Sequence, residues 1–141
     1  MNFMSTKLSP SITLSPSDAS FSFHTKSISL PPNTRVLLSP ELNASEKSST
    51  ANGWFPASSG SVSLSAPHAE IWAQAGQVLI RDHRSLYGTY VNGIKIEQQT
   101  LLQSGDIVTL GVQLRRSKDI PNYITDQQLK PIIATVTLKG I

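Results

Sequence analysis

The sequence predicts an all-β domain, a sandwich built from many short strands. Apolar and polar residues alternate over short runs such as 69–73 and 132–138. Gly, Pro, Asn and Ser separate these runs, and no long segment keeps a helical period. Short strands with frequent turn signals are typical of a β-sandwich or barrel.

The first part of the chain contains three predicted strands. The runs 12–14, 21–30 and 35–38 are rich in Ile, Leu, Val and Phe. Pro31-Pro32-Asn33 predicts a turn between the second and third strands, and Ser39-Pro40 is expected to close the third. A long polar stretch then follows.

This polar stretch, residues 41–60, is too long for an ordinary connection in a compact domain. Trp54 and Phe55 stand side by side near its end. Two adjacent aromatic residues indicate that this part of the loop is pinned to the domain. We interpret them as a seal on the sandwich rather than as a ligand platform.

The second part of the chain contains eight further predicted strands and one helical turn. Asn92-Gly93 inside the run 90–96 is a strong hairpin signal, and Ser104-Gly105-Asp106 predicts another turn. We expect the last strand to pair with one of the first, which brings the termini together. The predicted strands are 62–64, 69–73, 78–80, 90–91, 94–96, 107–110 and 132–138, with a short strand also at 101–102 and the helical turn at 126–130.

Length and composition limit the possible classes of protein. A chain of 141 residues suits one domain, which we place at 11–141 behind a flexible Ser-rich tail at 1–10. The absence of Cys excludes a disulfide scaffold, a Cys-ligated zinc site and a Cys nucleophile. We expect no secretory signal and no membrane span, because no sufficiently long apolar run is present.

Three blocks of sequence carry a resemblance to a known family. They are Ser65-Ala66-Pro67-His68-Ala69-Glu70-Ile71-Trp72, the segment 82–93 (DHRSLYGTYVNG) and the segment 102–111 (LQSGDIVTLG). In order and spacing they are similar to the forkhead-associated (FHA) family. The resemblance implies an FHA β-sandwich of about eleven strands, SMAD/FHA-like, in two antiparallel or mixed sheets. Loops at one end would form the recognition surface, which in this family holds phosphothreonine.

Shorter motifs resemble one subfamily, that of the sarcolemmal membrane-associated protein and its fungal relatives. They are Ile28-Ser29-Leu30-Pro31, Asn52-Gly53-Trp54-Phe55 and Ala69-Glu70-Ile71-Trp72. In that subfamily the FHA domain heads a longer, often tail-anchored coiled-coil protein that serves the striatin-interacting phosphatase and kinase (STRIPAK) complex. This resemblance implies an intracellular adaptor in the cytoplasm, on the cytosolic face of a membrane if the parent protein is anchored.

Most of the phosphate contacts that the family implies are replaced in this chain. Pro40 of the Ser39-Pro40 pair falls where the family has the Arg of its Gly-Arg pair, and Ala66 follows the retained Ser65. A bidentate Arg and further donors are what a phosphate group needs. The predicted binding-loop residues are Ser39, Pro40, Ser65, Ala66, Arg84, Leu86 and Tyr87.

Leu86 and Tyr87 replace the polar residue and the Asn that precede Gly-Thr in the family. They would make the loop tip apolar, and an exposed apolar pair favours a protein contact. Arg84 is the best candidate for a substitute phosphate contact. The residues that match the family best are interpreted as architecture: His68, Gly88, Thr89, Asn92, Gly93, Gly105 and Asp106.

Three hypotheses about function remain open at this stage. The first is an interaction module with an eroded phosphothreonine site that binds partners independently of phosphate. The second is a phosphothreonine-peptide reader that uses Arg84, and the third is a structural domain that associates with itself. The oligomeric state is left undetermined.

Catalysis and cofactor binding are not expected. Ser65, His68 and Asp82 could suggest a catalytic triad, but no nucleophile elbow or oxyanion-hole glycines accompany them. The three His are not clustered, so no metal site is predicted. With a net charge of +3 and no basic run interleaved with aromatics, we expect protein partners rather than nucleic acid or membrane.

Overall fold

A computed structural model describes residues 9–42, 46–57 and 59–141. Most of the predicted N-terminal tail, residues 1–8, lies outside the described residues. Within the described residues there is no helix with the length and hydrophobicity needed to cross a bilayer. The strands found there are β1 (Ser11–Pro16), β2 (Lys26–Ser29), β3 (Val36–Pro40), β4 (Trp54–Phe55), β5 (Ala69–Gln74), β6 (Gln77–Asp82), β7 (Thr89–Val91), β8 (Ile94–Lys95), β9 (Thr100–Leu102), β10 (Ile107–Leu110) and β11 (Ile132–Lys139).

The strands form two sheets that pack face to face. One sheet has the order β2-β1-β11-β10-β7-β8, and the other has the order β4-β3-β5-β6-β9. All pairs are antiparallel except β3 with β4, which is parallel. The predicted sandwich of about eleven strands in two mixed sheets is therefore confirmed.

The core lies between the sheets and is built by alternation. In β11, Ile132, Ala134 and Val136 are buried while the residues between them are more exposed. In β6, Val78 and Ile80 are fully buried in the same way. Successive side chains on a strand point to opposite faces, so this period of two produces one apolar face per sheet.

The last strand closes the six-stranded sheet. β11 lies between β1 and β10 and pairs antiparallel with both. The pairing of Ser11 with Lys139 brings the two ends of the domain together. The predicted pairing of the last strand with one of the first is confirmed.

The aromatic pair in the long loop is part of the sandwich. Trp54 and Phe55 form β4, which pairs with Ser39 and Pro40 of β3, and Phe55 is 1% exposed. The loop is thus pinned as predicted. The expectation that Ser39-Pro40 closes β3 was wrong, because the strand continues through both residues.

Pro40 is tolerated in this strand because of the hydrogen-bond pattern on either side of it. The Ser39 N–H donates to the carbonyl of Gly53 at 3.1 Å, and the Glu41 N–H donates to that of Phe55 at 2.8 Å. Alternate N–H groups of a strand point to opposite sides, so the nitrogen of Pro40 faces away from β4. A Pro costs little where no ladder bond is required of it.

Two further predicted strands differ from the structure. The run 21–30 is a strand only from Lys26, because the Phe21 N–H is taken by the carbonyl of Pro131 at 2.8 Å. The run 62–64 is not a strand at all. Val62 donates instead to the Gln128 carbonyl at 2.9 Å, so this segment bridges loops rather than joining a sheet. The helical turn predicted at 126–130 is present as a 3₁₀ turn over Gln127–Leu129.

Candidate functional site

Two loops meet at one end of the sandwich and bring separate sequence blocks together. The connection before β5 carries Ser65, and the connection between β6 and β7 carries Leu86. The Leu86 N–H donates to Ser65 Oγ at 2.9 Å. Residues 21 positions apart in the chain therefore form one surface, which we call the loop end.

His68 lies beneath the loop end and is fully buried, with 0% of its surface exposed. The Ser65 N–H donates to its Nδ1 at 2.9 Å, so Nδ1 is an acceptor and carries no proton. Nε2 is then the protonated nitrogen and donates to the Gly88 carbonyl at 2.9 Å. Burial lowers the pKa of His68 below 6.5, although the Gly88 bond and the nearby Asp82 charge act in the opposite direction. His68 is thus a neutral link between the two loops.

Asp82 organises the loop between β6 and β7, a role that the motif analysis did not assign to it. Its carboxylate accepts the N–H of Ser85 at 2.9 Å, the hydroxyl of Ser85 at 2.6 Å and the hydroxyl of Thr89 at 2.6 Å. Burial alone would raise the pKa of Asp82, but these hydrogen bonds outweigh it and lower the pKa. The Asp-x-x-Ser spacing could have indicated this turn, since such side chains bond to backbone a few residues on.

The tip of this loop is apolar on its outer side. Leu86 is 77% exposed, while Tyr87 is half-buried and its carbonyl accepts the Tyr90 hydroxyl at 3.0 Å. Arg84 is exposed and holds a left-handed conformation with φ of 55°. Within the described residues Arg84 forms no ion pair.

The remaining predicted binding residues offer few donors to a ligand. Ser39 is 0% exposed, and its hydroxyl donates to the Pro40 carbonyl at 2.8 Å inside the domain. Pro40 is half-buried and Ala66 is exposed, and neither side chain has a polar atom. The structure therefore brings Ser65 and Leu86 together, whereas Ser39 points into the protein.

Four of the predicted architectural residues lie at the opposite end of the sandwich. Asn92 and Gly93 form the β7–β8 turn with φ of 53° and 81°. The Asn92 amide donates to the Asp106 carboxylate at 3.0 Å and accepts the Ile107 N–H at 2.9 Å. Asp106 follows Gly105 in the β9–β10 turn, so these bonds join two hairpins away from the loop end.

Arg35, a second cation besides Arg84, forms its contacts on the outer face of the five-stranded sheet. Its guanidinium lies 3.8 Å from the Trp72 ring centroid and donates to Glu70 at 2.6 Å. Arg81 and His83 also contact this carboxylate, at 3.0 Å each. Burial would raise the pKa of Glu70, but the contacts from His83 and Arg35 lower it overall. Glu70 is therefore an ionised centre that holds Arg35 away from the loop end.

The sequence comparisons match one family model and several curated proteins, two of them from yeasts. Residues 50–111 match the family model of the FHA domain. An uncharacterized protein of Schizosaccharomyces pombe is 31% identical over 138 residues, which cover 92% of this chain and 44% of that protein. Vacuolar protein sorting-associated protein 64 of Saccharomyces cerevisiae is 36% identical over 67 residues, 45% of this chain and 11% of that protein. The chain thus spans less than half the length of these relatives.

Solved structures share the same architecture. The FHA domain of a Chlamydia trachomatis protein superposes with a TM-score of 0.51 at 23% identity, over 72% of this chain and 88% of that one. Full-length yeast Pml1p gives 0.55 at 17% identity, over 92% and 81% of the two chains. The FHA domain of an Arabidopsis thaliana hypothetical protein gives 0.54 at 16% identity, over 96% and 92%. At these identities the likeness concerns the fold.

Proposed function

We propose that this chain carries a divergent FHA domain, since residues 50–111 match the model of that family, and that its loop end binds a protein partner without requiring phosphothreonine. The observation that carries this proposal is the composition of the loop end. Leu86 is exposed at its tip, and Pro40 and Ala66 stand where the family resemblance implies phosphate donors. An apolar surface there suits a partner side chain better than a dianion.

The energetics of phosphate binding support this proposal. A phosphate group must exchange strong hydrogen bonds to water for charge-assisted bonds to the protein. Each such bond contributes roughly 1.5–3 kcal/mol, and about 1.4 kcal/mol corresponds to a tenfold change in affinity. Replacing an Arg fork and a second donor by Pro40 and Ala66 therefore weakens phosphate binding on the order of a hundredfold.

The loop that presents Leu86 is held in one conformation. Asp82 fixes Ser85 through two hydrogen bonds, and Ser65 fixes the Leu86 N–H. An apolar side chain on a rigid turn loses little entropy when it enters a pocket. This arrangement suits the central contact of a protein interface, where buried apolar side chains supply most of the affinity.

A phosphothreonine peptide titration tests this function directly. Fluorescence anisotropy would compare a degenerate phosphothreonine library with its unphosphorylated twin on the wild type and on the double variant Pro40→Arg/Tyr87→Asn. We expect the wild type not to distinguish the two libraries and the double variant to gain phosphate-selective binding. Selective binding by the wild type would contradict the proposal.

We further propose that the domain is an adaptor of a STRIPAK-like signalling complex. The support is the subfamily resemblance at Asn52-Gly53-Trp54-Phe55 and Ala69-Glu70-Ile71-Trp72, together with the similarity to two yeast proteins. We expect the immobilised domain to capture striatin from phosphatase-treated lysate. Leu86→Asp should abolish capture, whereas Ile94→Asp, at a residue 72% exposed on β8, should not. Equal capture by both variants would exclude the loop end as the contact.

The second candidate function is a phosphothreonine reader that uses Arg84. Its support is the exposure of Arg84 in a fixed turn at the base of the loop tip. Under this alternative the wild type binds the phosphorylated library selectively, and Arg84→Ala removes that selectivity. Unchanged selectivity in Arg84→Ala would exclude Arg84 as the phosphate contact.

A further inference from the structure

Lys26, the first residue of β2, places a cation inside the domain. Only 2% of the residue is exposed. Its Nζ donates to the carbonyls of Ser49 at 2.6 Å and Trp54 at 2.8 Å, and lies 4.7 Å from the Phe55 ring centroid. Burial lowers the pKa of Lys26 to about 8. A Lys is seldom buried to this extent without a partner of opposite charge.

No carboxylate of the described residues lies within ion-pair distance of this charge, and the undescribed residues contain no Asp or Glu. Glu41, an acid of the same loop, accepts the backbone N–H groups of Ser48 at 2.7 Å and Ala57 at 3.4 Å instead. In the part of the chain that the structure describes, two backbone carbonyls and one aromatic ring contact the ammonium group, although a buried charge is best stabilised by an opposite charge.

A cavity of about 340 Å³ opens beside Lys26. It forms where the loop lies along the edge of β2, held by the hydrogen bond from the Ser27 N–H to the Thr50 carbonyl at 2.7 Å. Phe23 and Pro56 form its apolar part, while His24 and several Ser and Thr residues line the rest beside Lys26. Among the described residues that line it there is no Asp or Glu. The volume lies at the lower end of the range for ligand pockets, roughly 300–1,000 Å³.

We propose that this cavity, with Lys26 at its base, binds an oxyanion: the carboxylate or phosphate group of an acidic or phosphorylated side chain in a partner protein. An ammonium group has three donors, and carbonyls take two of those of Lys26. The ammonium group is already desolvated, so an anion that reaches it gains more binding free energy than it would at a solvated surface Lys. Neither Ser65 nor Leu86 lines the cavity, so the proposal stands apart from the function proposed for the loop end.

Lysine NMR of the whole chain labelled at ¹³Cε tests this site without any substitution. The protein would be titrated at constant ionic strength with inorganic phosphate, a phosphoserine peptide and a glutamate peptide, with sodium chloride as the reference. We expect a saturable shift of the Lys26 signal and a rise in its pKa, with no change at Lys47. The amide signal of Leu86 should also stay in place, which separates this site from the loop end. A Lys26 signal that no anion moves, or one that moves together with Lys47, would overturn the proposal.

A pair of matched variants then assigns the contact. Lys26→Met keeps the aliphatic stem and removes the charge. Lys47→Met makes the same change at an exposed position of the loop that lies along β2. We expect Lys26→Met to weaken anion binding at least about tenfold and Lys47→Met to leave it unchanged. Equal effects of the two variants would overturn the assignment to Lys26. If Lys26→Met detaches the loop from β2, the titration of the wild type by itself decides whether the anion binds at Lys26. Tighter binding of a peptide than of inorganic phosphate supports a partner side chain, whereas equal affinities would overturn that part of the proposal.

Discussion

His68 shows how one buried side chain joins parts of the chain that are distant in sequence. Its ring accepts from the Ser65 N–H and donates to the Gly88 carbonyl, while its backbone N–H donates to the Leu38 carbonyl. The contact with Ser65 is local and follows from a spacing of three residues. The contacts with Gly88 and Leu38 exist only because β5 lies between β3 and β6. The position of the loop end therefore depends on a neutral imidazole.

This role predicts how His68 titrates. Its folded pKa lies below the unfolded value of 6.5 because burial opposes the charged form. Between these two values the unfolded state binds more protons, so the free energy of unfolding decreases as pH falls below 6.5, by up to about 1.4 kcal/mol per pH unit. Long-range ¹⁵N NMR should show His68 with its proton on Nε2 and a midpoint below 6.5. A midpoint at or above 6.5, or a proton on Nδ1, would contradict this account.

At the scale of the elements, the loop end depends on connections that are not strands. Ser63 is 1% exposed, and its hydroxyl accepts the Val112 N–H at 2.7 Å, just after β10. Gly111 donates to the Gly88 carbonyl at 2.9 Å with φ of 88°. The segment around Ser63 thus lies across the end of β10, next to the loop that carries Leu86. Close backbone approach at Gly111 makes this arrangement possible.

Replacing Gly111 by Ala should be more destabilising than the same change at a matched glycine. A Cβ at Gly111 would lie 2.2 Å from Ser63 Oγ and 2.6 Å from its carbonyl oxygen. Gly105 has a similar φ of 96° but nothing within 4 Å of such an atom. Gly105→Ala should cost about 1–2 kcal/mol through backbone strain alone. Gly111→Ala should cost about 1–3 kcal/mol more because overpacking is added. Urea denaturation measures both, and equal losses would show that Ser63 moves away freely.

At the scale of the whole molecule, the two ends of the chain complete the sandwich. β1 lies between β2 and β11, so the first strand is an interior strand of its sheet. Ile12 and Leu14 of β1 are 0% and 3% exposed. Stability of the domain therefore rests on contacts between residues more than a hundred positions apart. Such non-local pairing makes β-sandwiches slow to fold.

Truncation of Ile12 should therefore destabilise the entire domain. Ile12→Ala removes buried methylene groups and leaves a cavity between the sheets, which should cost about 2–5 kcal/mol. Ile94→Ala, at a residue 72% exposed, serves as the control and should change the free energy of unfolding by less than about 0.5 kcal/mol. Thermal unfolding followed by circular dichroism should show one cooperative transition in each variant. Similar losses for the two variants would show that β1 contributes little to the core.

The fold class, most strands and their turns could be predicted from the amino-acid sequence. Alternation in runs such as 69–73 and 132–138 depends on the period of a strand, and Asn92-Gly93 depends on the dihedral angles of a two-residue turn. These are local properties, so a linear sequence is enough to read them. The three spaced motifs likewise predicted that the loops carrying Ser65 and Leu86 lie at one end of the sandwich, where the structure places them together.

The hydrogen-bond partners of many backbone groups and polar side chains, in contrast, became known from the three-dimensional fold. The segment 62–64 has the pattern of a strand, yet its backbone bonds to loops that the sequence cannot place beside it. Pro40 extends β3 because Trp54 and Phe55 return alongside it. Nothing in the sequence around Lys26 indicates burial, but the loop that folds over β2 buries its side chain. Burial and long-range hydrogen bonds depend on which segments the chain topology brings together, so they cannot be predicted from residue type and spacing.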